Sequence, residues 1–152
     1  MSDRPKGARG RVERSWARRF AMQALYQWQF TGQDLATIQQ QFYDQQELDK
    51  ADPAYFQELL HQVPARLDTL SLKLAPYLDR PLEQVDPVEK AILWIGGYEL
   101  AYRSDIPYRV AINEAVELAK RFGAEQSHRF INGVLDRVAR ELRTVETGGQ
   151  GG

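Results

Sequence analysis

The sequence predicts an all-α protein of six to seven helices, either one continuous bundle or, the favoured reading, two small sub-bundles packed on each other. Three observations point there. Apolar residues recur every three to four positions along most of the chain. Sustained period-2 alternation is missing, and β-branched residues are sparse outside mixed apolar stretches. Two Asp-Pro pairs, Asp52-Pro53 and Asp86-Pro87, combine an N-cap with the residue best tolerated in a first helical turn. The proline-bearing stretch 75–81 interrupts the pattern near the midpoint, so the sub-bundles are expected at about 12–75 and 80–143.

The first helix is expected over about 12–30. Trp16, Phe20, Ala24 and Trp28 recur every four residues, and Ala17, Ala21 and Leu25 widen the stripe toward a core. At 100° per residue Arg11, Arg14 and Arg18 fall together on roughly the opposite side, which predicts a row of arginines facing solvent. Gly32 supplies the left-handed residue that closes a helix C-terminus. A second helix, about 34–46, carries Leu35, Ile38 and Phe42 at i, i+3 and i+7. The third turns Tyr55, Phe56, Leu59, Leu60, Val63, Leu67, Leu70 and Leu74 inward, with Pro64 expected to kink or split it near His61.

Asp86 caps a helix whose run from Ala91 to Leu100 is apolar on nearly all sides, which marks it as central. Gly96-Gly97 permits close approach of a neighbour. A further helix covers about 112–122 and stops at Gly123. Ser127 is expected to cap the last, in which Phe130, Ile131, Val134, Leu135, Val138 and Leu142 form the buried stripe. Trp16, Phe20, Trp28 and Trp94 are assigned to the core. Residues 1–10 read as a flexible basic arm, and 144–152, ending in glycines, as a disordered tail.

Composition narrows the function classes. The 152 residues include no cysteine and two histidines, which removes thiolate metal sites and thiol nucleophiles. No apolar run approaches the ~20 residues that cross a bilayer, so a cytoplasmic protein without membrane contact is expected. A formal net charge of -1 conceals an asymmetry: residues 1–20 hold seven basic side chains against two acidic ones, and the remainder is acidic. Six of the seven are arginine, the residue suited to bidentate phosphate contacts and to stacking on bases. A basic arm on an acidic body fits nucleic-acid binding. No phosphate-binding glycine loop, dinucleotide fingerprint or zinc-binding helix motif is found, and Ser127-His128 lacks an orienting carboxylate at fixed spacing. A binding protein without cofactor or metal is the better expectation than an enzyme.

The stretch from Asp105-Ile106-Pro107 through Ala111-Ile112-Asn113-Glu114-Ala115 to Phe122-Gly123, continued by Ser127-His128-Arg129-Phe130-Ile131-Asn132-Gly133-Val134-Leu135-Asp136, resembles the C-terminal hallmark of the NusB family of bacterial transcription antitermination factors. Ala21-Met22-Gln23-Ala24-Leu25-Tyr26-Gln27-Trp28 and Val88-Glu89-Lys90-Ala91-Ile92-Leu93 are similar to two further stretches of that family. The resemblance implies two three-helix sub-bundles and no catalysis. It also implies binding of the boxA element of nascent ribosomal-operon RNA jointly with the ribosomal protein NusE, in a complex that helps RNA polymerase read through terminators.

By that resemblance Arg11, Arg14, Arg18, Arg19, Tyr26, Gln126, Arg129 and Phe130 are the expected RNA contacts. Tyr77, Glu83 and Glu89 are expected on the partner surface, and the free chain could pair as a homodimer. Gln126 stands where an aspartate is common, so a charge that would repel phosphate is absent. The arginines are interleaved by Val12-Glu13 and Ser15-Trp16, which shifts contacts toward Arg4, Lys6 and Arg9. Two other classes compete: a helical protein-interaction module with an incidental basic arm, and an RNA-methyltransferase-associated domain, for which 152 residues leave no cofactor-binding α/β unit.

Overall fold

The structure, a computed structural model, describes residues 6–45 and 48–148. Among the described residues there are seven α-helices and no strand: α1 (Lys6–Thr31), α2 (Leu35–Gln45), α3 (Pro53–Ala65), α4 (Leu67–Leu74), α5 (Pro87–Tyr102), α6 (Tyr108–Phe122) and α7 (Ser127–Leu142). They fall into two compact units, Met1–Ala65 and Arg66–Gly152. The division lies ahead of the expected break at 75–81, because α4 packs against α5 and so belongs with the second unit. The helix through Pro64 splits at Arg66, not at His61. The missing proline N–H falls in the last turn of α3, where the helix carries on for one residue more.

In the first unit α1 packs on α2 and α3. Phe20, Ala21, Ala24 and Leu25 meet a core containing Ile38, Phe42, Phe56, Leu59, Leu60 and Val63. Gly32 closes α1 with φ +61°, as a left-handed terminus requires. Asp52 caps α3 by accepting the Tyr55 amide at 3.1 Å. Two expectations fail here. The stretch from Lys6 to Gly10 is helix, not a flexible arm, because Ala8, Arg9 and Arg11 favour helix enough to carry two glycines at about 1 kcal/mol each; residues 1–5, Arg4 among them, lie outside the described ones. Trp16 and Trp28 are half-buried, while Phe20 and Trp94 reach the core. Trp16 sits at the edge, its ring covered by Arg19 at 4.3 Å and Lys50 at 4.8 Å.

In the second unit α5 is buried on all faces from Ala91 to Leu100, with α4, α6 and α7 around it. Asp86 caps it, accepting the amides of Val88 and Glu89. Gly96 is where α7 comes close: a Cβ there would stand 2.6 Å from Leu135 Cδ1. Gly123 is needed for space and not for its backbone angle, since a Cβ would meet the Ala119 carbonyl at 2.8 Å and Ser127 Cβ at 2.7 Å.

The expected disordered tail is partly folded. Arg143, 8 % exposed, reaches back to donate to the carbonyls of Glu99, Leu100, Arg103 and Ile106, and also pairs with Glu146. Glu146 in turn accepts the Tyr108 amide at 3.0 Å, at the start of α6. Residues 149–152 lie outside the described ones.

The hydrogen bond from the Tyr108 amide, against the opposing pull of burial and with help from Arg143, holds the Glu146 carboxyl below its ordinary value of 4.5. A carboxyl with a lowered folded-state value adds stability above its unfolded value and loses it as pH falls through the lowered one. The expected result is that hydrogen-exchange protection of the Tyr108 amide drops on acidification below that range, and that Glu146→Gln removes the pH step. Protection that stays flat into strong acid would refute the link.

Candidate nucleic-acid interface

Each unit presents cationic and aromatic side chains together. On α1 Arg9 and Arg11 are exposed, and Arg14 and Arg19 are half-buried. The expected row of three does not form: Arg18 is 3 % exposed. Its guanidinium lies 5.5 Å from the centre of the Tyr55 ring on α3, and Arg14 lies at the same distance from that ring. A long side chain can leave its nominal helical face to cover a neighbouring aromatic, and cation–π attraction of roughly 0.5–2 kcal/mol favours it here. The solvent-facing cations of α1 are therefore Arg9 and Arg11, with Arg14 and Arg19 half covered. Tyr26 is 39 % exposed, off the buried stripe as its position implies, and its ring packs at 5.0 Å against Phe30, which is 65 % exposed. Two neighbouring rings open to solvent suit base stacking.

In the second unit Tyr77, Asp79, Arg129, Phe130, Gly133 and Arg137 line a groove of about 230 Å³. One wall comes from the 3-10 turn Ala75–Tyr77 and the residues after it. The other is one face of α7, where Arg129, Gly133 and Arg137 follow at i, i+4 and i+8. Phe130 is half-buried, with Arg80 stacked on its ring at 4.9 Å. Arg80 is itself set by Asp79 at 2.7 Å and reaches Glu89 at 3.6 Å.

The expected partner residues separate. Tyr77 lines the groove, and Glu83 is exposed on the 3-10 turn Leu82–Gln84. Glu89 is only 9 % exposed: its carboxylate accepts the Ser127 hydroxyl at 2.7 Å, and Ser127 accepts the Ala124 amide at 3.0 Å. Glu89 is thus turned into the fold, away from a partner surface. Ser127 is the first residue of α7 and not its cap, a position Gln126 takes, exposed and without a side-chain cap bond. Arg80, Asp79, Gly133 and Arg137 were not anticipated. The i, i+4, i+8 spacing along α7 was legible; the stacking of Arg80 on a ring fifty positions away was not. Among the described residues no group of three or more His, Cys, Asp or Glu is placed to hold a metal ion, and no helix is long and apolar enough to cross a membrane.

Comparison with known proteins gives these surfaces a context. The sequence model of the NusB family matches residues 15–140. The transcription antitermination protein NusB of Nitrosococcus oceani is 56% identical over 133 residues, 88% of this chain and 89% of that protein. Its namesake from Shewanella amazonensis is 54% identical over 126 residues, 83% of this chain and 94% of that protein. Among solved structures, T. maritima NusB superposes with a TM-score of 0.71 at 30% identity, covering 84% of this chain and 90% of that one. The all-helical fold, the family profile over most of the length and relatives above one-half identity agree: this chain belongs to the NusB family of transcription antitermination proteins.

Proposed function

We propose that the chain binds boxA-type single-stranded RNA of ribosomal-operon transcripts jointly with NusE, within the complex that lets RNA polymerase read through terminators. The observation that supports it most is the second-unit groove, where Tyr77 and Phe130 stand beside Arg129 and Arg137 in a member of an antitermination family. Unpaired RNA is held by cations on its phosphates and by bases splayed onto aromatic or guanidinium planes. In this reading Arg11, Arg14 and Arg19 hold phosphates, Tyr26 and Phe130 stack bases, and Gln126 and Arg129 flank Phe130 at the start of α7. Glu83 faces a basic ribosomal protein, and Tyr77 serves the RNA from the groove wall. Arg18 acts through the fold, under Tyr55. The chain makes and breaks no bonds, needs no cofactor and works in the cytoplasm.

The test is a titration of labelled boxA RNA with and without NusE, beside a scrambled RNA. Cooperative, sequence-dependent binding is expected. Equal binding of both RNAs would favour a protein-interaction module, a second reading to which the inward turn of Arg18 lends some weight. Arg11→Gln with Arg14→Gln should lower the slope of log affinity against log salt by about 0.7 per lost contact. A slope unchanged by the pair would move the phosphate contacts off α1. Arg18→Ala should lower thermal stability instead, by uncovering Tyr55.

A further inference from the structure

The helical glycines of this chain are not alike. Gly96 sits where a Cβ would collide with Leu135, and Gly97 touches Leu70 and Leu74. Gly133, in the middle of α7, meets nothing within 4 Å and has an ordinary helical backbone. Alanine would fit there without strain and would favour the helix. What Gly133 does have is a place in the groove, one turn from Arg129 and one turn from Arg137.

We propose that Gly133 is kept bare for a ligand and not for the fold: it is the floor on which one nucleotide of single-stranded RNA lies flat, its phosphates held by Arg129 and Arg137. The inference rests on the RNA-binding reading above and deepens it by naming a residue that sets access. Three features favour a nucleotide. The groove, about 230 Å³, is below the ~300–1,000 Å³ of pockets that enclose small molecules, so it suits one planar group laid in from solvent. Its α7 wall is cationic at both ends, which matches consecutive phosphates. Its opposite wall offers the Tyr77 ring for stacking and the Asp79 carboxylate, one oxygen of which is bonded to Arg80 while the other is an acceptor for a base amino group. The cations of α7 and the acceptor oxygen of Asp79 orient the strand, backbone toward α7 and base edge toward Asp79.

Gly133→Gln tests this, because glutamine is a good helix former that fills the floor without adding charge. Gly133→Ala is the minimal companion. Both are made in the full chain and titrated with boxA-type RNA in the presence of NusE. An RNA series with 2-aminopurine at successive positions reports stacking.

The expected results are a Tm for Gly133→Ala raised by about 2–4 °C, a tenfold or greater loss of RNA affinity for Gly133→Gln, and one 2-aminopurine position whose quenching by the wild-type chain is lost in Gly133→Gln. Undiminished affinity and quenching in Gly133→Gln would overturn the inference while leaving RNA binding by the wild-type chain intact. A Tm lowered by both substitutions would also overturn it, since the glycine would then serve the fold. Wild-type protein that fails to prefer boxA-type over scrambled RNA would remove the broader reading and this one together.

Discussion

Arg143→Met should destabilise the protein by about 2–4 kcal/mol, because it strips the donor from two carbonyls at the end of α5 and beyond it. The last carbonyls of any α-helix have no partner within it. At the end of α5 the Glu99 carbonyl accepts the Arg103 amide, whereas that of Leu100 depends on the Arg143 side chain arriving from beyond α7, which is also the donor to Ile106 and a second donor to Glu99 and Arg103. The guanidinium matches the site twice over, by spreading its N–H donors in a rigid fork and by placing a positive charge at the negative end of the helix dipole.

Methionine fills similar volume and donates nothing, so the carbonyls of Leu100 and Ile106 lose their donor at about 1–3 kcal/mol each before relaxation, while those of Glu99 and Arg103 keep the backbone amides of Arg103 and Ile106. Lysine keeps the charge but cannot reach all four, and Arg143→Lys should fall between. Urea unfolding measures both. With a slope of about 1–3 kcal/mol/M the midpoint for methionine should move by more than ~1 M. A loss below ~1 kcal/mol would mean that water takes over the carbonyls without cost.

Gly96 and Leu135 should show coupling that reverses sign. Leu135→Ala alone should cost about 2–5 kcal/mol, through lost burial and a cavity between α5 and α7. Gly96→Ala alone places a methyl 2.6 Å from Leu135 Cδ1. Leu135 is fully buried and has little room to swing away, so overpacking of about 1–3 kcal/mol outweighs the gain in helix propensity. In the Leu135→Ala background the same methyl enters the vacated space and should stabilise. A double-mutant cycle by thermal or urea melts should return an interaction energy above ~1 kcal/mol. Additive effects would show that the two helices adjust freely and that close packing at this crossing is not demanded.

Much of the scaffold was legible because its signals are local. The Asp52 and Asp86 caps, the left-handed Gly32, the uniformly apolar α5 and the bounds of α7 all follow from residues within a few positions of one another. Errors arose where a distant residue decides. Arg18 lies buried against Tyr55, thirty-seven positions on. Ser127 has the chemistry of a cap, yet its hydroxyl goes to Glu89, thirty-eight positions back. The site was readable to the same degree. Resemblance singled out Tyr77, Arg129 and Phe130, and periodicity explains why Arg129, Gly133 and Arg137 share a face. That Arg80 stacks on Phe130 while bonding to Asp79 needed coordinates.

The reach of Arg143 also sets an order for biosynthesis. The first unit closes with residues up to Ala65, whereas the end of α5 stays incomplete until an arginine 44 positions beyond Glu99 has been made. At roughly 5–20 residues per second that interval is on the order of 2–9 s. During it the most apolar helix of the chain is available to ribosome-associated chaperones, and codons that pause the ribosome ahead of Arg143 would lengthen that exposure.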